Sequence, residues 1–323
     1  MSINWFPGHM HKAILEMKKT LPTIDVIIEV LDARIPYSSE NPVIAKLRGA
    51  PLDVEADASM APPKPLIKLL NKSDLADPEV TQAWIDAFER ERGVKALAVS
   101  AQQPERIRGL ADLCRKLAPT AAQGVGALNA LITGIPNVGK STLINTLAGR
   151  QIAKTGNEPA ITKGQQIINL HNGIMLIDTP GILWPKIDNE NSGYRLAATG
   201  AIKNTAMSYD DVAVFAVDFL LKNYPDLLKQ RFKLTQLPAT ELEFLNVVGR
   251  QRGCLASGGV VNIEQISRIV LTEFRDGVLG RISLETPEVA ARERIAVRAA
   301  IEKKNAELAE KKLQRKGKFK TQR

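Results

Sequence analysis

Short apolar runs of strand length recur through the first half of the chain. They fall at residues 25–31, 65–70, 94–99, 128–133, 166–170 and 174–177. Helical stretches at 80–92 and 107–117 separate several of them. Another helix, 142–147, follows the fourth run, and a short amphipathic helix around 9–20 precedes the first. Six strands alternating with helices predict an α/β doubly wound sheet. The pattern changes after Pro185. Val212, Phe215, Ala216, Phe219 and Leu220 recur at helical spacing, as do Leu242, Leu245 and Val248, and then Ile263, Ile266, Ile269 and Val270. These stripes predict the core faces of a smaller all-helical domain. The expected division is therefore an α/β domain at 1–185, a helical domain at 186–285 and a basic helical or disordered tail at 286–323, where Glu, Ala, Lys and Arg form a helix-favouring mix.

Two segments interrupt the pattern. Residues 51–63 form a Pro- and acid-rich insert that reads as a surface loop. Residues 119–126 are small and Gly-containing, as a joint between two halves of a sheet would be.

Length and composition narrow the class. At 323 residues the chain can bury two cores. No apolar run is long enough to span a bilayer. The N-terminus lacks the basic flank and apolar stretch of a signal peptide. Cys114 and Cys254 show no spacing for zinc or disulfides, which fits a reducing cytoplasm. The formal net charge is +9, and residues 303–323 hold nine Lys or Arg against Glu307 and Glu310. Such a tail suits nucleic acid or an anionic surface, or is a solvated, disordered end.

Residues 134–141 read Gly-Ile-Pro-Asn-Val-Gly-Lys-Ser, a match to the phosphate-binding loop G-x-x-x-x-G-K-[ST]. An apolar strand precedes it and a helix follows, which is the context the loop requires. Backbone N–H groups of Asn137, Val138, Gly139, Lys140, Ser141 and Thr142 would surround phosphates at the helix N-terminus. Lys140 would bridge the β- and γ-phosphates, and Ser141 would ligate Mg²⁺. Asp178-Thr179-Pro180-Gly181 ends another apolar strand. There Asp178 can hold the Mg²⁺ shell, and the Gly181 N–H can sense the γ-phosphate. Thr162 lies between the two motifs, where a switch threonine would bind Mg²⁺ and γ-phosphate; a loop threonine without that role is the commoner case.

Asn71-Lys72-Ser73-Asp74 closes the second strand. The Asp74 carboxylate can accept from guanine N1 and N2, donors that adenine lacks, so the wrong base would leave it unpaired. Lys72 can lie along the base, and Ser100-Ala101 can offer a backbone N–H to guanine O6. Alone, Ser73 or Asp74 could be a helix cap. Together the five motifs point to GTP. They occur in the order base, base, phosphate, switch, switch, which is rotated relative to a Ras-like enzyme. The fold expected is a circularly permuted Ras-like P-loop GTPase domain. Ile182 stands where Ras-like enzymes place the glutamine that orients water, so the isolated chain should hydrolyse GTP slowly.

Trp5-Phe6-Pro7-Gly8-His9-Met10, then Leu31-Asp32-Ala33-Arg34-Ile35-Pro36, and the rotated motif order closely resemble the ribosome biogenesis GTPase A family (RbgA/YlqF). The resemblance runs from Trp5 to about Glu285 and includes Phe274-Arg275-Asp276-Gly277-Val278-Leu279-Gly280-Arg281. It implies GTP-driven late assembly of the large (50S) ribosomal subunit, with hydrolysis stimulated by the pre-ribosome. It also implies that His9 supplies the function lost at Ile182, that Asn137 helps to coordinate K⁺, and that the helical domain contacts ribosomal RNA. His9, Lys140 and Thr162 would then form the catalytic set. From the residues alone, His9 is equally a surface or packing residue, and His11 and His171 read as structural or solvent-exposed. Ala160, where the family usually has Gly, and the insert at 51–63 depart from its pattern. A nucleotide-gated RNA-binding or chaperone module with incidental hydrolysis is the alternative from another class, and action on the small subunit or a membrane is a third.

Overall fold

The computed structural model describes residues 5–49, 62–124, 126–153 and 164–320. Thr162, Ala160 and most of the 51–63 insert lie outside them. Each apolar run is a strand, displaced by at most a residue or two: β1 (Val26–Asp32), β2 (Leu66–Asn71), β3 (Val94–Ala98), β4 (Leu128–Gly134), β5 (Gln166–Asn169) and β6 (Ile174–Asp178). They form one sheet in the order β3-β2-β1-β4-β6-β5. All neighbours are parallel except β5 and β6. β1 and β2 are buried at every position, as strands covered on both faces must be. β5 has one neighbour and is mostly exposed, with Ile167 facing outward.

The connectivity positions the site. From β1 the chain runs outward through β2 to β3. It then returns to lay β4 against the other side of β1, and leaves in the opposite direction to β6 and β5. The winding direction therefore reverses between β1 and β4. Loops at the carboxyl ends of parallel strands diverge at such a point and open a crevice. Asp32, Asn71, Gly134 and Asp178 are the last residues of β1, β2, β4 and β6, so all four reach that edge.

The helices around the sheet are α1 (Gly8–Thr20), α2 (Pro36–Ser39), α3 (Pro42–Leu47), α4 (Pro78–Glu89), α5 (Pro104–Arg108), α6 (Leu110–Leu117), α7 (Pro119–Ala122) and α8 (Lys140–Ala148). The helix expected at 107–117 is in fact the end of α5 and all of α6, joined at Gly109, which caps both. The short α2 and α3 escape periodicity because each offers barely one turn. Their signals are local: Pro36 and Pro42 lie in first turns, and the Asn41 side chain accepts from the Val43 N–H.

After β6 the chain is helical: α9 (Glu190–Ala198), α10 (Tyr209–Asn223), α11 (Pro225–Phe232), α12 (Glu241–Gln251), α13 (Ile263–Arg275) and α14 (Pro287–Lys320). α10 packs on α9, α11, α12 and α13, burying Val212, Ala216 and Leu220 as the stripe predicts. Met1–Glu285 is one compact unit and Thr286–Arg323 another. Within the first, a buried polar network ties the helices to the sheet. The Glu285 carboxylate accepts from the Ser38 N–H (2.7 Å) and hydroxyl (2.5 Å) and pairs with Arg195 (3.1 Å). Trp84 donates its indole N–H to the Glu285 carbonyl. The buried Glu285 and Arg195 charges are thus paired, the condition on which such burial is tolerated.

Candidate active site

The phosphate loop is built by strain and close approach. Asn137 and Gly139 both have positive φ, 58° and 92°, which curls the backbone between β4 and α8. Such a curl turns successive N–H groups inward. Gly134 passes so close to β1 that a Cβ would lie 2.6 Å from the Val30 carbonyl. At Gly139 a Cβ would collide with the Asn71 amide. That amide donates to the Val138 carbonyl at 2.7 Å, and Lys72 Nζ donates to the Asn137 carbonyl at 2.7 Å. The first two residues of the base motif therefore brace the phosphate loop. Asn137 Nδ2 in turn donates to the Gly200 carbonyl (2.8 Å), just past α9.

Lys140 and Asp178 form a buried ion pair at the head of α8. Asp178 is fully buried, and its Oδ2 has no hydrogen-bond partner among the described residues. Burial raises the Asp178 carboxyl above its ordinary range, and Lys140 opposes the shift. An orphaned, sealed carboxylate oxygen on the partner of Lys140 fits the shell of a divalent cation. Ser141 is half-buried and Thr142 exposed in the first turn of α8. Gly181 packs on the loop itself, where a Cβ would lie 2.9 Å from Pro136 Cα. The next N–H, that of Ile182, donates to the Gly134 carbonyl. The Ile182 side chain is fully buried, so this position presents no polar group.

His9 lies at the start of α1 and is half-buried, and its Nε2 is sealed without a hydrogen-bond partner among the described residues. Its neighbour Met10 is fully buried and accepts through sulfur from the Leu183 N–H at 3.4 Å. The start of α1 is therefore seated on the segment that follows Gly181.

The base side is a separate cavity of about 260 Å³. Ser73, Asp74, Ser100, Gln102, Gln103 and Arg281 line it. Ser100 is buried, whereas Ala101 is exposed on the turn after β3. The Ser73 N–H donates to the Val99 carbonyl, which ties the two base-side loops together. Sequence reasoning missed two parts of this assembly. Asp32 and Arg34 had no role beyond the resemblance they carried, yet they form a bidentate pair at 2.9 and 2.8 Å with Lys72 at 3.1 Å on the same carboxylate. Burial would raise the Asp32 carboxyl, but Arg34 and Lys72 outweigh it and hold it well below the ordinary carboxylate range. Arg34 also donates to the Phe274 and Arg275 carbonyls at the end of α13. The other missed residue is Arg281, which lines the cavity from outside the sheet.

Comparison with known proteins matches this architecture. The family described as 50S ribosome-binding GTPase matches residues 129–247, and the RsgA GTPase family matches residues 56–187. Ribosome biogenesis GTPase A of Priestia megaterium is 44% identical over 298 residues, covering 90% of this chain and 99% of that protein. Its counterpart in Thermotoga maritima is 32% identical over 286 residues, covering 88% and 95%. Among solved structures, GDP-bound TM YlqF superposes with a TM-score of 0.58 at 28% identity, covering 84% of this chain and 99% of that one. GNP-bound YlqF from T. maritima gives 0.56, covering 86% and 99%. With relatives of this identity spanning nearly its whole length, the chain belongs to the ribosome biogenesis GTPase A family.

Proposed function

We propose that this GTPase acts in the late maturation of the large (50S) ribosomal subunit and hydrolyses GTP when the precursor particle engages it. The observation that carries the reading is convergence. Asn71, Asp74 and Ser100 on one side, and the loop from Gly134 to Ser141 with Asp178 and Gly181 on the other, meet at one edge of one sheet. Base and phosphates would be read there together. The strand order supports circular permutation: a chain entering at β4 and leaving after β3 would give the same sheet with the motifs in Ras-like order.

In this reading Asp74 accepts from guanine and the loop N–H groups donate to phosphate oxygens. Lys140 sits on the β- and γ-phosphates as a point charge. Ser141, Thr162 and Asp178 would hold Mg²⁺, which when bound neutralises charge on the phosphates. Ile182 cannot orient water. His9 is assigned that role because its Nε2 is buried, has no hydrogen-bond partner among the described residues and is carried on the helix that touches Leu183. The Asn137 side chain is fixed by Gly200, and its carbonyl oxygen is the atom that K⁺ would use. Residues 1–185 would handle GTP, residues 186–285 would contact ribosomal RNA, and the basic 286–323 tail would add phosphate contacts. Among the described residues no helix is long and apolar enough to cross a membrane. The expected place of action is the cytoplasm, where ribosomal particles assemble.

The test is GTP hydrolysis by the full chain with purified large or small subunits, in potassium and in sodium buffer. Stimulation by large subunits, greater in potassium, is expected. Equal rates with no particle, small subunits and large subunits would overturn the reading.

A further inference from the structure

One wall of the base cavity comes from outside the sheet. Arg281 lies beyond the end of α13, yet it lines the cavity together with Asp74 and Ser100. Its guanidinium reaches the loop that carries Asp74. Nη2 donates to the Ser73 carbonyl at 3.1 Å, and Nε donates to the Ala76 carbonyl at 2.9 Å. These two carbonyls flank Asp74, so one rigid fork holds both shoulders of the base-reading residue.

The neighbours of Arg281 grip the same loop. The Ile282 N–H donates to the Leu75 carbonyl at 3.0 Å. The Asp77 N–H donates to the Ser283 hydroxyl at 3.2 Å. Gly277 has φ of 73°, and a Cβ there would lie 2.6 Å from Leu75 Cδ2. The Tyr224 hydroxyl, at the end of α10, lies 3.2 Å from both Asp77 Oδ2 and the Ser283 carbonyl.

We propose that Arg281 is a positioning residue for guanine recognition, and that residues 277–283 couple the base pocket to the helical part of the molecule. The proposal rests on reading the cavity as the guanine site. A carboxylate that must meet N1 and N2 of the base at once needs a fixed backbone, and two guanidinium bonds, one on each side, supply it. By linkage, whatever moves residues 277–283 changes guanine affinity, and guanine binding resists that movement equally.

The test measures the affinity of the full chain for GDP, IDP and ADP by calorimetry. IDP lacks the N2 amino group, so the GDP-to-IDP ratio reports how well Asp74 is aimed. Arg281→Ala should weaken GDP about tenfold and IDP less, which narrows the ratio. Arg281→Lys, with one point donor, should restore part of the loss. In an Asp74→Asn background, Arg281→Ala should no longer change the ratio. An unchanged ratio in Arg281→Ala, whether GDP, IDP and ADP all weaken alike or none does, overturns the proposal. Hydrogen exchange on the wild-type chain gives a check independent of the variants: saturating GDP should slow exchange at the Ile282 and Ser283 amides, and unchanged exchange also overturns it. Wild-type chain that binds GDP no better than ADP would instead overturn the guanine reading of the cavity, on which the proposal stands.

Discussion

Asn71 sits at the end of the base-side strand and spends its amide on the phosphate loop. It leaves no room at Gly139, whose φ of 92° already disfavours any side chain. Gly139→Ala should therefore destabilise the fold by about 1–3 kcal/mol and abolish nucleotide binding. Thermal unfolding and GDP calorimetry check the two effects separately. His9 makes a different kind of prediction, because among the described residues its Nε2 makes no hydrogen bond to the phosphate loop. His9→Ala should leave GDP affinity intact and lower particle-stimulated turnover by roughly 10²-fold or more. Retained turnover would place the water-orienting group elsewhere. At this scale the motif residues were legible because their chemistry is local. Asp32 and Arg34 were not, because their value lies in a third partner, Lys72, brought in from the neighbouring strand.

Strand register explains a second buried cluster that the phosphate site does not use. Glu29 of β1 lies opposite Lys68 of β2. Lys68 pairs with Glu40 at 2.7 Å and Glu91 at 2.9 Å and sits 3.9 Å from the Phe88 ring centre. Glu29 is 1% exposed and accepts from the Asn41 N–H. Burial, reinforced by Glu40 and opposed by Lys68, pushes the Glu29 carboxyl from 4.5 up to about 8. Between those values the folded chain holds a proton that the unfolded chain has released. Its contribution is full below pH 4.5 and is lost as pH rises through about 8, so stability falls across that window. Glu29→Gln keeps an acceptor for Asn41 and should flatten that decline. Urea midpoints from pH 5 to 9 test it; parallel wild-type and variant curves would refute the shift. Gly277→Ala belongs to the same scale. It should cost about 1–3 kcal/mol through backbone strain, with the Leu75 contact adding to it. The check is thermal unfolding, and a wild-type melting temperature would refute it.

Across the whole molecule, phosphate side and base side are each tied to the helices that follow the sheet. Arg34 and Asn137 tie the first, to the end of α13 and to Gly200; Arg281 and Tyr224 tie the second. A two-ended attachment gives a change at either end of the site a route to the helices, which is the route the proposed particle-activated switch would use. The basic tail makes a separate prediction. Residues 303–323 hold nine Lys or Arg. Deleting them should reduce the slope of log affinity against log salt for large-subunit binding by several units. An unchanged slope would make the tail a bystander.

The strands, the helices with a clear apolar stripe and the two nucleotide motifs at the ends of β2 and β4 were readable from the chain alone. Each is a contiguous run whose burial or backbone geometry is set by its own residues, so no distant partner is needed to recognise it. Tertiary structure decided the rest. Arg281 meets Ser73 across a separation of 208 residues, Glu285 meets Ser38 across 247, and Met10 meets Leu183 across 173. Such contacts exist only once the winding reversal between β1 and β4 has brought those segments to one edge, and no local pattern in the chain records them. That is why the loops that would read GTP could be seen in the sequence, while the residues that hold those loops in place could not.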